Sequence, residues 1–62
     1  MKTIWLVKAQ TDLGIEPFFV GASSREEALI MAAARGYDGD AVEAKEVPNK
    51  FGIQPGDWRS AL

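Results

Sequence analysis

Hydrophobic residues occupy consecutive positions near the start of the chain, in the stretch TIWLVKA. This stretch is rich in β-branched and aromatic residues, which favours a strand over residues 3–10. Side chains alternate along a strand, so Ile4 and Leu6 point to one face of a sheet while Trp5 and Val7 point to the other. Both faces of this strand are therefore apolar, and a chain of 62 residues has little material with which to cover two faces.

A second strand is predicted over residues 16–22, where apolar and aromatic side chains again dominate. The preceding TDLG, at residues 11–14, places Asp and Gly where a chain reversal favours them. Pro17 has no N–H to donate to a neighbouring strand, which suits an edge strand or the first residues of a strand. We therefore expect an antiparallel hairpin over residues 3–22.

The sequence predicts a helix over residues 25–35. Ser24 can cap its N-terminus, and Glu27 three residues later completes a capping box. The same pattern occurs one residue earlier along the chain. Ala, Leu and Met fill the interior, and Gly36 is a typical residue at which a helix ends.

Residues 41–47, AVEAKEV, alternate between apolar and charged side chains, which favours a third strand paired with the hairpin; a helix is the alternative. Residues 48–62 contain prolines and glycines that break regular structure, yet they also contain Phe51, Ile53 and Trp58. The predicted fold class is α+β in β-β-α-β order, a three-stranded antiparallel sheet with one helix on one face. Residues 1–47 form the single domain, and residues 48–62 form an irregular tail packed on the sheet.

The sheet is expected to turn one set of apolar side chains towards the helix, namely Ile4, Leu6, Phe18 and Val20. The open face then carries Trp5, Val7 and Phe19. The opposite choice of inward face would exchange the two sets. The open face can be covered by the tail, by a second copy of the chain in a homodimer, or by another protein, because exposed patches rich in Trp and Phe mark contact surfaces.

Composition argues against several classes of function. The chain has no Cys and no His, so it lacks disulfides, the usual zinc ligands and the usual base of nucleophilic catalysis. We therefore expect a protein that is not an enzyme, with no catalytic residues, no metal and no cofactor. The first apolar run is too short for a signal peptide or a membrane span, which predicts a cytoplasmic protein with no membrane partner.

Charge is nearly balanced, with nine acidic and seven basic residues and a net charge of −2. The basic residues are spread along the chain without a cluster, which argues against direct nucleic-acid binding. The densest acidic stretch contains Asp38, Asp40, Glu43 and Glu46. These charges are either a solvated edge that prevents pairing with other chains or an acidic rim that engages a basic groove of another protein.

The segments KTIWLVKAQ and FFVGASSREEALIMAAARGYDGDAVEAKEV resemble small phage and plasmid proteins, in which a hairpin precedes an A-S-S-x-x-x-A helix entry, a turn and a third strand. Among these, the chain resembles anti-CRISPR proteins of this size and β-β-α-β order that inhibit type I surveillance complexes. The resemblance covers residues 1–47 and leaves the tail unmatched. A similar pattern occurs in HicB-like antitoxin domains and plasmid accessory proteins, so a small nucleic-acid-binding or antitoxin-like module is the alternative.

The resemblance implies a non-catalytic phage inhibitor in the host cytoplasm that binds a subunit of a type I CRISPR surveillance complex and blocks recognition of target DNA. Such inhibitors act in part as DNA mimics, with acidic or polar side chains where phosphates would lie. The partner-binding residues expected on this basis, together with the aromatic residues of the open face, are Asp38, Asp40, Glu43, Glu46, Trp5 and Phe19. Secondary candidates are Glu26, Glu27 and Trp58.

Overall fold

The computed structural model describes all of residues 1–62. Along the chain come β1 (Thr3–Thr11), β2 (Gly14–Val20), helix α1 (Arg25–Ala34), one 3-10 turn (Gly39–Ala41), β3 (Val42–Pro48) and β4 (Trp58–Ser60). The strands form one antiparallel sheet in the order β3-β1-β2-β4. The predicted α+β class with one helix is confirmed, but the sheet has four strands instead of three.

The fourth strand, β4, lies in the segment that the sequence predicts to be irregular. It is three residues long, and only Trp58 among them is apolar, so it has no local pattern that would predict it. It forms because Trp58 and Ser60 pair with Val20 and Phe18 of β2. Tertiary pairing, and not local propensity, decides the structure of this segment.

Pro17 consequently lies in the middle of a strand with neighbours on both sides, and not in an edge strand or at the first residues of a strand as the sequence favours. The Ala61 N–H donates to the Pro17 carbonyl at 3.0 Å, so the backbone of Pro17 is turned towards β4 and away from β1. β4 ends at Ser60, one residue before Ala61. The ladder between β2 and β4 is therefore already ending at Pro17, so the missing N–H of the proline disrupts the pairing of these two strands very little.

The pairing of the hairpin decides which side chains of β1 face the helix. Trp5 lies directly opposite Val20, so both point to the same face. The predicted inward face is wrong for β1, because Ile4 and Leu6 point away from the helix, and right for Phe18 and Val20 of β2. Alternation within β1 could not settle this, since both of its faces are apolar. The core beneath the helix contains the buried residues Val7, Ala9, Val20, Ala22, Ala28, Ala32 and Val42, with Trp5 partly buried beside them.

Helix α1 begins at the predicted cap. The Ser24 hydroxyl accepts a hydrogen bond from the Glu27 N–H at 3.1 Å, and the Glu27 carboxylate accepts one from the Ser23 hydroxyl. The helix packs against β1 and β3 through buried small side chains, Ala28 and Ala32. Alanine at these positions lets the helix lie close to the sheet.

The second face of the sheet is covered, at the end away from the hairpin turn, by the tail segment, residues 49–57. Ile4 and Ile53 are both buried outside the core beneath the helix. The rings of Phe19 and Phe51 pack with their centroids 4.7 Å apart. The tail segment therefore supplies the second apolar layer that β1 requires.

Asn49 fixes the conformation of the tail segment. Its side-chain oxygen accepts from the Ile53 N–H at 3.0 Å, and its amide nitrogen donates to the Ile53 carbonyl at 2.9 Å. The same nitrogen donates to the Met1 carbonyl at 3.0 Å. One side chain thus ties the tail segment both to itself and to the start of the chain.

Gly21 is the point of closest approach between the sheet and the tail segment. Its N–H donates to the Asp57 carbonyl at 2.9 Å, and its carbonyl accepts from the Gly56 N–H at 2.8 Å. A Cβ at this position would overlap the carbonyl oxygen of Gln54. Only glycine allows the tail segment to cross here without moving.

Candidate functional site

Four exposed carboxylates lie at the hairpin end of the sheet. Asp12 lies in the turn between β1 and β2, while Asp38, Asp40 and Glu43 lie around the 3-10 turn that leads into β3. Because β3 begins beside the last residues of β1, these two parts of the sequence meet at the same end. We refer to Asp12, Asp38, Asp40 and Glu43 as the acidic end.

Local geometry holds part of the acidic end in place. The Asp38 carboxylate caps the 3-10 turn and accepts from the Asp40 N–H at 3.0 Å. Glu43 lies opposite Lys8 of β1, on the face away from the helix. No group of three or more Asp, Glu, His or Cys side chains is placed to hold a metal ion. Exposed carboxylates attract cationic groups through their negative charge.

An open groove of about 430 Å³ adjoins the acidic end on the face away from the helix. Ile15, which is 61% exposed, lies in its wall. Sites that enclose small molecules are concave and mostly apolar, whereas this groove is open and mixes both signs of charge. Its lining residues are Lys8, Gln10, Ile15, Asp40, Ala41, Val42 and Glu43.

The remaining predicted acidic residues lie elsewhere. Glu46 is paired with Trp5 near the other end of β3, where its carboxylate accepts from the Thr3 hydroxyl at 3.3 Å. Glu26 and Glu27 lie in the first turn of α1, and Glu27 is engaged in the cap. The structure thus brings Asp38, Asp40 and Glu43 together but separates them from Glu46 and the helix residues. The sequence-based set omits Asp12, which only the hairpin brings to the acidic end.

The predicted aromatic residues do not form one surface. Trp5 is half-buried on the helix side of the sheet, and Phe19 is half-buried on the other side against Phe51. Because the two side chains point to opposite faces, they cannot contact the same flat surface. The prediction that Trp5, Val7 and Phe19 share one face of the sheet is therefore wrong.

Trp58, a secondary candidate, belongs to an aromatic cluster made of Phe18, Tyr37 and Trp58. The centroid of its ring lies 4.7 Å from that of Phe18 and 6.2 Å from that of Tyr37, and the Arg35 guanidinium lies 4.5 Å from it. Its indole Nε1 is buried without a hydrogen-bond partner. This cluster anchors β4 beside the end of α1, and it joins residues too far apart in sequence for a local motif to reveal.

The hydroxyl of Tyr37 donates to the Glu16 carboxylate at 2.8 Å. This hydrogen bond to Glu16 raises the pKa of Tyr37 above its ordinary value of 10.0, with smaller contributions from burial and from the negative charge of Glu16. Tyr37 is therefore a neutral donor at physiological pH, and the interaction links β2 to the chain that follows α1.

A second groove, of about 270 Å³, lies beside β4 on the face away from the helix. Phe51 is 50% exposed and Leu62 is 95% exposed, so two large apolar side chains border it. Arg59 is the one charged side chain in its lining. The other lining residues are Phe19, Ser60 and Ala61.

Comparisons with protein families, with curated proteins and with solved structures found no match to this chain. None of the helices has the length and apolar character needed to cross a membrane.

Proposed function

We propose that the protein is a non-catalytic inhibitor of the phage type that binds a basic surface of a type I CRISPR surveillance complex and blocks recognition of target DNA. The observation that carries the proposal is the convergence of four exposed carboxylates at one end of the sheet. A protein surface that binds DNA phosphates is cationic, and an acidic surface of complementary shape competes for it. The absence of His and Cys from the chain leaves few groups suited to catalysis at neutral pH.

The distribution of charge along the sheet supports the proposal that the acidic end is the surface that binds the partner. The acidic end carries Asp12, Asp38, Asp40 and Glu43, with Lys8 as the cation opposite Glu43. Lys2, Lys50 and Arg59 belong to segments at the other end of the sheet or beside it. A molecule that is only slightly acidic in total therefore presents a more strongly acidic surface in one direction, which steers association with a cationic partner.

The alternative function, a nucleic-acid-binding or antitoxin-like module, requires Lys2, Lys8 and Arg25 to form one basic surface. Lys8 lies in β1, and Lys2 lies six residues earlier, directly before the strand begins, which corresponds to about 20 Å at the usual rise of an extended chain. Arg25 lies on the helix, on the opposite side of the sheet from Lys8. This separation favours the inhibitor over the module, and a gel-shift assay at low salt distinguishes the two, because nucleic-acid binding depends strongly on salt.

The proposal is tested by titrating a purified type I surveillance complex with the wild-type protein and two charge-matched variants. The first variant, Asp12→Asn/Asp38→Asn/Asp40→Asn, neutralises most of the acidic end and retains side-chain capping at position 38, since Asn caps as well as Asp. The control, Glu26→Gln/Glu46→Gln/Asp57→Asn, removes the same charge elsewhere.

We expect the first variant to bind about tenfold more weakly, since each exposed charge pair contributes about 0.2–1 kcal/mol. The control should bind like the wild type. Equal weakening by both variants would show that total charge and not the acidic end controls binding. Absence of wild-type binding at micromolar concentration would refute the proposal for this class of complex.

A further inference from the structure

The free edge of β3 presents backbone groups that no strand of this chain satisfies. β3 is the last strand of the sheet and pairs only with β1. The Asn49 N–H donates to the Lys2 carbonyl at 2.9 Å, and Asn49 lies opposite Lys2 in the extended register. Hydrogen-bonded and non-hydrogen-bonded pairs alternate along an antiparallel ladder. The backbone groups that form hydrogen bonds to β1 are therefore those of Glu43, Lys45 and Val47.

Their neighbours Val42, Ala44 and Glu46 therefore turn their N–H and C=O groups outwards. The Val42 N–H is used inside the chain, because it donates to the Gly39 carbonyl at the end of the 3-10 turn. Ala44 and Glu46 keep both groups available, and Val42 keeps its carbonyl. Pro48 then ends the edge, since it has no N–H. The edge thus offers a short, defined set of hydrogen-bonding positions centred near Ala44.

We propose that β3 pairs antiparallel with β3 of a second copy of this chain, with the two-fold axis at Ala44. In this register the two Ala44 residues exchange both of their backbone hydrogen bonds. The Glu46 N–H of each protomer donates to the Val42 carbonyl of its partner. The result is a continuous eight-stranded sheet, formed from the two four-stranded sheets.

Charge complementarity selects a second copy and this register. With Ala44 on the axis, Glu43 of each protomer lies directly opposite Lys45 of its partner, so two pairs of opposite charges form on the face away from the helix. Both side chains are exposed in the single chain. A register with Lys45 on the axis would place two lysines opposite each other. A register with Glu46 on the axis would place two glutamates opposite each other. Only the register with Ala44 on the axis places both Glu43 and Lys45 opposite a side chain of the opposite charge.

The position of α1 is compatible with this pairing. The helix packs against both β1 and β3, which places it over the boundary between them. Strands lie about 4.8 Å apart, so the two helices of the dimer would be about 10 Å apart, at the upper end of the usual range for packed helices. Arg35 reaches over Trp58 on the opposite flank, so Glu26, Leu29 and Ala33, which share one side of the helix, lie on the flank nearer the β3 edge. Of these three side chains, only Ala33 is small enough to leave room for close approach of the partner helix.

The experiment is sedimentation of the purified chain over a concentration series, followed by two charge-reversal variants. The wild type should form a particle of twice the 6.8 kDa mass of the chain. Lys45→Glu and Glu43→Lys should each weaken dimerisation about tenfold or more, because each turns two attractive cross-strand pairs into two repulsive ones. An equimolar mixture of the two variants should recover the dimer, because each repulsive set becomes attractive in the heterodimer.

Lys45→Glu perturbs the single chain less than Glu43→Lys does. Within the chain Lys45 lies opposite the uncharged Leu6, whereas Glu43 lies opposite Lys8. Circular dichroism would show that both variants are folded before their masses are compared. A wild type that stays monomeric up to millimolar concentration would overturn the proposal. So would variants that dimerise as tightly as the wild type, or a mixture of folded variants that stays monomeric.

Discussion

Truncation of Ile53 tests whether the tail segment is part of the folded domain. Ile53 is 4% exposed and is buried on the face of the sheet away from the helix, where Ile4 is also buried. Ile53→Ala removes most of this side chain from the second apolar layer. Substitutions of this kind at buried positions cost about 2–5 kcal/mol, because they lose transfer free energy and leave a cavity.

A chain of this length has a free energy of unfolding of about 3–9 kcal/mol, so the substitution would remove a large share of it. We expect the melting temperature to fall by about 10 °C or more, measured by circular dichroism. The matched control is Ile30→Ala, which makes the same change on the exposed side of α1, where Ile30 is 68% exposed. Its free energy of unfolding should change by no more than about 0.5 kcal/mol.

Equal melting temperatures for the Ile53 and Ile30 variants would contradict the packing of the tail segment on the sheet. That result would mean that the second face of β1 is open in solution. A large decrease for Ile53→Ala alone would show that residues 49–57 belong to the folding unit and are not an appended extension.

Three further predictions concern contacts around the tail segment and β2. Gly21→Ala should lower the melting temperature, because the new Cβ overlaps the Gln54 carbonyl, whereas the same change at exposed Gly39, which has open space around its Cβ position, should not. Asn49→Leu should increase the exchange rate of the Ile53 amide in hydrogen-exchange measurements, since its hydrogen bond of 3.0 Å is lost, and an unchanged rate would rule out this contact as the main constraint. Since the pKa of Tyr37 is raised in the folded state, the neutral hydroxyl contributes stability below pH 10.0 that is lost as the pH rises through its folded value, and Glu16→Gln should reduce this alkaline loss in pH-dependent unfolding.

Local signals in the sequence were sufficient for the helix and the hairpin. Ser24 and Glu27 occupy the cap that the pattern predicts, and Gly36 follows the helix with a φ of 91°, as its position after the last turn requires. Gly14 likewise has a φ of 116° at the hairpin. These residues determine backbone conformation within a few positions of themselves, so a single sequence is enough to interpret them.

The faces of β1 and the presence of β4 depend on pairing across the sheet. β1 is apolar on both sides, so only the pairing of Trp5 with Val20 shows which side faces the helix. β4 forms because Trp58 reaches Phe18 and Tyr37, which are 40 and 21 positions away in the chain. No pattern within a short window contains that information.

The candidate site shows the same division between local and long-range information. Asp38, Asp40 and Glu43 are neighbours in the sequence and remain neighbours in the fold. Glu46 is just as near in sequence, but the extended strand places it about 10 Å further along the sheet than Glu43. Asp12 joins the acidic end because the hairpin turn lies beside the start of β3. A set chosen by proximity in sequence therefore includes Glu46, which lies elsewhere in the fold, and omits Asp12, which belongs to the acidic end.

The most direct measurement of the proposed function is target-DNA binding by a type I surveillance complex in the presence of this protein. The wild type and the variant neutralised at Glu26, Glu46 and Asp57 should both prevent DNA binding, because both retain the acidic end. The variant neutralised at Asp12, Asp38 and Asp40 should leave DNA binding largely intact. Undiminished DNA binding with the wild type, or equal inhibition by all three proteins, would contradict the account.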